Sequence, residues 1–332
     1  MPDRVLVTGY RGFIGHHVTM NLLEHGYAVV GVDKGTCAAH NGLFDKMDTG
    51  YYNPETMAVD PPLVTSENFW GIEGDVASLG NLGEFDAVIH LAAETHVDNS
   101  ITDPLAFLRE NVDATVALLE WIRGKSPYDR PLLVQVSTDE VYGDTPTLSK
   151  ETDRFQPSSP YAASKAAAEH FVTAYGRTFG LPYRIVRPAN CYGKWQFREK
   201  LIPKTVRRLT WGKPMSIHGD GTQSRQWLHV EDCANGIRAV LEQGEDGEAY
   251  NLEGQYRASV NHVVKIVAQC LGREYCDMDL QPDARPGLDA DYGMDTAKTD
   301  QIWHPMKSGL DTNLKEIVRW YAERLAPPKQ NS

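Results

Sequence analysis

The sequence predicts an α/β fold, a Rossmann-type doubly wound parallel sheet with a smaller mixed α/β substrate-binding lobe. Three observations lead to it. A glycine turn, Gly9-Tyr10-Arg11-Gly12-Phe13-Ile14-Gly15, joins the first apolar run to the first helical period. Apolar runs and helical periods then alternate through the first two-thirds of the chain, the pattern of a parallel sheet with helices on both faces. Beyond about residue 190 the regularity fades into short segments punctuated by Gly and Pro.

Taken in order, residues 5–8 read as a strand, 13–24 as a helix and 28–32 as a second strand. Residues 35–68 are polar and rich in Gly, Pro and Asp, a length that marks a functional or mobile loop. Residues 87–91 are an apolar run ending in Ala92-Ala93-Glu94-Thr95. A helical period over 104–123 sets Leu105, Leu108, Val112, Thr115, Leu118, Leu119 and Ile122 near one face. Residues 132–136 read as a strand, 161–179 as a helix and 183–187 as a further strand. Helical periods recur at 203–210, 230–243, 260–271 and 314–325, separated by Gly212-Lys213-Pro214, Gly219-Asp220-Gly221 and Arg285-Pro286-Gly287. The expected division is 1–190 for a dinucleotide-binding domain and 191–332 mainly for the second lobe, with the chain free to cross between them.

The 332 residues are 41% hydrophobic, enough for one large core or two ordinary ones. No apolar run reaches about 18 residues, so no membrane partner is expected. The N-terminus enters a strand directly, without the basic and apolar run of a signal peptide. The five cysteines (Cys37, Cys191, Cys233, Cys270 and Cys276) are odd in number and form no Cys-x-x-Cys pair. They read as reduced thiols in a cytoplasm, with neither a metal site nor a disulfide framework. Net charge is −12, from 45 acids against 33 bases, which argues against a nucleic-acid partner. An anionic small molecule needs only a few converging cations, and Lys200, Arg225 and Arg285 are candidates.

The glycine turn follows a strand and opens a helix, the context in which Gly9, Gly12 and Gly15 let backbone approach a pyrophosphate. Phe13 and Ile14 belong to the same turn. Asp33 ends the second strand about 20 residues on, where an acid binds a ribose 2′-hydroxyl and repels a 2′-phosphate. That favours NAD over NADP, against the charge of neighbouring Lys34. Lys34 itself, Thr36, the pair Asp75-Val76, the run Leu91-Ala92-Ala93, and Tyr161 and Lys165 complete the expected cofactor contacts.

Ser137-Thr138-Asp139-Glu140-Val141-Tyr142-Gly143 follows the strand at 132–136, and Tyr161-Ala162-Ala163-Ser164-Lys165 opens the next helix. Tyr161 and Lys165 share a helix face. A free tyrosine is only about one part in a thousand ionised at pH 7. Lys165 and a positive nicotinamide ring are the expected sources of a lower pKa. Adjacent side chains of a strand point to opposite faces, so Asp139 and Glu140 reach one pocket only if the strand ends or bends there. If it does, one carboxyl can hold a proton for a leaving hydroxyl. The other can remove a proton next to a carbonyl.

From Val5 to about Tyr292 the chain resembles the nucleotide-sugar 4,6-dehydratases of the extended short-chain dehydrogenase/reductase superfamily. The matching pieces are Val32-Asp33-Lys34, His90-Leu91-Ala92-Ala93-Glu94-Thr95-His96-Val97-Asp98, the Ser137–Gly143 stretch, Pro160-Tyr161-Ala162-Ala163-Ser164-Lys165 and Asn190-Cys191-Tyr192-Gly193. Glu199-Lys200-Leu201-Ile202-Pro203, Arg225-Gln226-Trp227-Leu228-His229-Val230-Glu231-Asp232 and Arg285-Pro286-Gly287 complete them. The resemblance implies a redox-neutral cycle on a nucleotide hexose, dTDP-glucose or UDP-glucose. Tyr161, helped by Thr138 and Lys165, oxidises C4 with hydride passing to NAD. Glu140 takes the C5 proton, Asp139 protonates the departing C6 hydroxyl, and hydride returns to C6. It also implies that Thr95, Thr138, Asn190, Lys200, Leu201, Ile217, Arg225 and Arg285 contact the substrate. The implied assembly is a homodimer in which the helices at 104–123 and 161–179 pair as a four-helix bundle. Departures from the family pattern gather where the nucleotide belongs, at Ser216, His218, Tyr256 and Leu288, with Lys194 in place of a usual Pro. The rival readings are a 4-epimerase or UDP-glucuronate decarboxylase on the same fold, and a non-catalytic NAD-sensing protein.

Overall fold

The structure, a computed structural model, describes residues 3–35, 68–78, 80, 82–145, 147–274, 278–281, 293–307 and 309–324. In chain order the strands are β1 (Arg4–Thr8), β2 (Ala28–Asp33), β3 (Phe69–Glu73), β4 (Ala87–His90), β5 (Leu132–Val136), β6 (Tyr183–Pro188), β7 (Asn190–Tyr192), β8 (Met215–His218), β9 (Ser224–His229), β10 (Ala249–Leu252), β11 (Tyr256–Ser259) and β12 (Met278–Gln281). The helices are α1 (Phe13–Glu24), α2 (Val97–Thr102), α3 (Pro104–Phe107), α4 (Ala114–Arg123), α5 (Pro160–Phe179), α6 (Leu201–Thr210), α7 (Val230–Gln243), α8 (Val260–Cys270) and α9 (Leu310–Arg324).

Seven strands form one sheet in the order β3-β2-β1-β4-β5-β6-β10, all paired in parallel. The alternation of side chains explains why these strands read as unbroken apolar runs. Val5, Val7, Val29, Ile89, Val134 and Val136 enter one core, together with Val18 and Leu22 of α1 and Ile237 and Val240 of α7. Leu6, Val30, Val32, Val88 and Leu133 enter the other, with Leu118, Leu119 and Ile122 of α4 and Val172 of α5. Each such buried side chain stabilises the fold by about 1.5–3 kcal/mol. The chain runs outward from β1 in one direction to β3 and in the other from β4 to β10, so a crevice opens between β1 and β4 at their carboxyl ends.

The smaller lobe carries a three-stranded sheet, β11-β9-β7, and a two-stranded one, β12-β8. Helices α6, α8 and α9 close its own core around Val206, Val263, Val267, Leu314 and Ile317. Between visits to this lobe the chain returns to the large sheet: α7 lies against α1, and β10 pairs with β6.

Two expectations change, and a third falls outside the described residues. Strand β3, helix α2 and strands β7 to β12 are additions to the predicted elements. The helix expected over 104–123 is interrupted by a π-helical turn, Leu108–Asp113. Its cause is Asn111, whose side chain accepts from Glu94 N–H at 2.8 Å and donates to Glu94 C=O at 3.0 Å and Ser164 Oγ at 2.8 Å. Of the loop expected at 35–68, residues 36–67 lie outside the described residues.

Glu169 on α5 and Arg187 on β6 form a buried pair at 2.7 Å. Arg187 also donates to the Tyr142 hydroxyl at 2.6 Å, which donates to Asn251 at 2.8 Å. Glu169→Ala leaves a guanidinium buried without its carboxylate. The expected loss is about 3–5 kcal/mol of stability, measured as a lower midpoint in urea unfolding.

Candidate active site

The turn after β1 accepts only glycine at its key positions. Gly9 has φ +73°, and a Cβ there would lie 2.7 Å from Ala92 N. A Cβ at Gly15 would lie 2.0 Å from Gly9 O, and at Gly12 3.1 Å from the same oxygen. Helix α1 begins directly after, with no side-chain cap and no acid in its first turn. Its first N–H groups therefore remain available to an anion. An open cleft adjoins the turn, lined by Gly9, Gly12, Asp33, Lys34, Asp75, Val76, Leu91, Ala92 and Ala93 among others. The Asp33 carboxylate accepts from Arg11 N–H at 3.0 Å and Gly35 N–H at 2.8 Å, which fixes it at the end of β2. Lys34 is tied to Asp75 at 2.9 Å and Glu110 at 2.8 Å. The glycine cradle, the uncapped helix and the placed carboxylate fit a dinucleotide. Ile14 packs into the core beneath, and Phe13 stacks edge-on against His17 at 5.9 Å.

The catalytic half forms where β5 ends. Thr138 is extended and caps a single 3₁₀ turn, Asp139–Tyr142, by accepting from Glu140 N–H at 3.3 Å. The chain leaves the strand before the two acids, so the alternation that would separate them does not apply. Thr138 donates to Asp139 at 3.1 Å and is hydrogen-bonded to Tyr161. Asp139 is 3% exposed. Burial and then the Glu140 charge push its carboxyl well above the usual range, against the Thr138 hydrogen bond and Arg225. The groups in electrostatic contact with Asp139 are thus Thr138, Glu140, Arg225, Glu253, Tyr161 and the Cys191 thiol.

Lys165 behaves differently from expectation. Its ammonium donates to Val136 C=O at 2.7 Å, and burial lowers its pKa to about 8. The Tyr161 phenol is raised, by burial first and Glu140 second, against the Thr138 hydrogen bond.

On the substrate side Lys200 caps α6 and donates to Thr95 C=O at 3.1 Å, which joins the lobe to the end of the large sheet. Leu201 is the first residue of α6. Asn190 on β7 and Arg225 on β9 belong to one sheet, and Arg225 is buried with its guanidinium on Ser224 C=O at 2.8 Å. Ile217 is 2% exposed and packs with Met215 and Val264, so its side chain belongs to the lobe's core and not to a ligand surface. Thr36, Arg285 and Leu288 lie outside the described residues, as do the side chains of Ser216 and His218. Tyr256 is partly exposed on β11.

Sequence reasoning missed three groups here. Asn111 ties the Glu94 loop to α5 through Ser164. Glu253 stands one residue past β10, accepts from Met294 N–H at 2.7 Å and is pushed up to about 7 by burial. Cys191 is hydrogen-bonded to Cys233, a contact that raises its thiol beside Asp139. Glu253 alone left a signal, as an acid closing the apolar run Tyr250-Asn251-Leu252.

Residues 5–252 match the model of the NAD dependent epimerase/dehydratase family. The chain is 34% identical to the dTDP-glucose 4,6-dehydratase of Salmonella typhimurium, covering 96% of this chain and 92% of that one. It is 34% identical to a trifunctional UDP-glucose 4,6-dehydratase, 3,5-epimerase and reductase of Arabidopsis thaliana, covering 97% of this chain and 47% of that one. Among solved structures it resembles the dTDP-glucose 4,6-dehydratase DesIV of Streptomyces venezuelae with NAD bound. The TM-score is 0.85 at 34% identity, with 96% of this chain and 97% of that chain covered.

Proposed function

The chain belongs to the NAD dependent epimerase/dehydratase family, and on that premise we propose that it dehydrates a nucleotide hexose to the nucleotide 4-keto-6-deoxy sugar. It is a hydro-lyase that uses NAD catalytically. The observation that best supports this reading is the pair Asp139 and Glu140 on the 3₁₀ turn that ends β5, both acting electrostatically on Tyr161, to which Thr138 is hydrogen-bonded. A 4-epimerase or a decarboxylase has no use for an acid and a base at C6 and C5.

The cofactor contacts assigned are the Gly9/Gly12/Gly15 turn, Asp33, Asp75, Val76 and Leu91–Ala93. When bound, NAD supplies the reversible hydride chemistry that leaves the sugar's overall oxidation level unchanged. Tyr161 takes the C4 hydroxyl proton, and Thr138 bonds to its phenol. Lys165 holds positive charge under the site from its place on Val136 C=O. With C4 a ketone, the C5 proton is acidic and Glu140 removes it. Asp139, kept protonated by burial, gives its proton to the C6 hydroxyl as water leaves, and Glu140 then returns a proton to C5 as hydride is delivered to C6. Arg225, Lys200 and Asn190 hold the diphosphate and sugar, with a guanidinium fork suited to phosphate.

The test is incubation with dTDP-glucose and UDP-glucose in turn. The expected product is the 4-keto-6-deoxy nucleotide sugar, identified by mass and by the alkaline absorbance of the ketone. Inversion at C4 or release of carbon dioxide, without dehydration, would replace this reading by a rival.

The same reading places the protein in a cytoplasm as a homodimer. Support for the compartment is that Cys191, Cys233 and Cys270 are unpaired. Support for the dimer is apolar surface on the two helical segments, where Leu105, Leu108 and Phe171 are exposed. Leu108→Glu should shift the mass in light scattering toward the monomer; an unchanged mass would place any interface elsewhere.

A further inference from the structure

Two cations, Lys34 and Arg11, stand beside Asp33, and the reading above gives Arg11 no task. Lys34 is bound by Asp75 and Glu110. Arg11 is built in more firmly. The ring of Tyr10 fills a notch over β2 and β3 that exists because Gly31 and Gly71 lack side chains. A Cβ at Gly31 would lie 2.5 Å from the ring, and at Gly71 2.5 Å from its hydroxyl. Phe69 closes the notch edge-on at 5.6 Å. The fixed Tyr10 hydroxyl then accepts from Arg11 Nε at 2.9 Å, and Arg11 Nη1 meets Glu73 at 3.2 Å. Arg11 Nη2 has no partner among the described residues. Asp33 and Glu73 are register partners on β2 and β3, so the guanidinium is held at the strand ends that carry the ribose acceptor.

We propose that Arg11 is a latent 2′-phosphate site, and that Asp33 and Glu73 together, and not Asp33 alone, restrict the protein to NAD. This rests on the cofactor reading of Asp33. An arginine near that position accommodates the 2′-phosphate of NADP, and its fork suits a phosphate better than an ammonium does. In this chain the fork already has its anion: Glu73 neutralises it, and Asp33 repels a second negative group. Glu73 is 38% exposed at its side chain, so the pair is open to water and a phosphate can compete for it.

The test measures Kd for NAD and NADP by protein fluorescence or calorimetry in folded variants, without substrate. Glu73→Gln should tighten NADP a few-fold. Asp33→Asn with Glu73→Gln should tighten it by about tenfold or more, the scale of one charge-assisted hydrogen bond. Asn at 33 still accepts a backbone N–H of the turn. Adding Arg11→Ala should remove the gain while NAD affinity shifts less than about threefold. The gain should also shrink with added salt. Unchanged NADP affinity in the double variant, or a gain that survives Arg11→Ala, overturns the proposal. If the double variant does not fold, the exposed Glu73→Gln substitution decides by the same Arg11→Ala reversal. Failure of the wild type to bind NAD would overturn the cofactor reading itself, a result distinct from normal NAD binding with no NADP gain.

Discussion

A Tyr161→Phe enzyme is expected to form no 4-keto product, a loss of about 10²–10⁴-fold in kcat. It should also show no exchange of the C5 hydrogen with solvent deuterium. Both follow from one step. Without a base at the C4 hydroxyl the ketone never forms, and without the ketone the C5 proton is not acidic. The readout separates a chemical role from a structural one, since Tyr161 is 7% exposed and packs edge-on against Phe107 at 6.3 Å. Phe keeps that packing, so the melting temperature should hold. Lys165→Ala should act through pH instead. Burial lowers Lys165 to about 8, so at neutral pH it is mostly protonated and contributes positive charge. Its removal raises the pKa of the base that must lose a proton, so the rising limb of the pH profile moves to higher pH. Full activity with normal C5 exchange in Tyr161→Phe would show that another residue is the base.

Five strands of the parallel sheet were legible because they are buried on both faces, so runs such as Leu132–Val136 are apolar but for the buried Gln135, whereas the more exposed β3 and the short β10 were not. The strands of the smaller lobe were not. Tyr256–Ser259 reads Tyr-Arg-Ala-Ser, and only its pairing with β9 makes it a strand. Pattern at short range carries no information about such pairing. The π-helical turn was hidden for a similar reason: Asn111 is pulled out of the regular helix by the Glu94 loop, a tertiary contact. At the site, the residue types at 138–140, 161 and 165 were readable from spacing. The division of labour between the two acids was not. It depends on how deeply each is buried and on Arg225 and Glu253, which only the fold brings near. The partner of Lys165 was also beyond spacing, which puts it one turn from Tyr161 but does not reveal the free carbonyl at Val136. Arg11 shows the opposite case. Its place in the glycine turn was plain, but its role needed Gly31, Gly71 and Glu73 from two other strands.

Asp139→Asn and Glu140→Gln are expected to stop the reaction at different points, each with a loss of about 10²–10⁴-fold in product formation. Glu140→Gln removes the base for C5. It should still let C4 oxidise, but C5 should no longer exchange with solvent deuterium. Asp139→Asn leaves that base in place and removes the proton for C6. Exchange at C5 should persist while water is retained and no 6-deoxy product forms. The pH dependence distinguishes them further. An acid must be protonated to act, and burial and the Glu140 charge hold Asp139 protonated well above the usual carboxyl range. Elimination should therefore persist above the usual carboxyl range and fall as pH rises through the raised pKa of Asp139. Glu140→Gln removes one cause of that elevation, so in this variant Asp139 should ionise at lower pH. The shift is observable as an earlier loss of whatever residual elimination remains. Loss of folding would abolish C4 oxidation as well as exchange, so retained C4 oxidation in Glu140→Gln and retained exchange in Asp139→Asn separate both phenotypes from it. If both variants dehydrate at the wild-type rate, the two acids form only a polar turn at the end of β5, and the acid and base of the elimination are other residues.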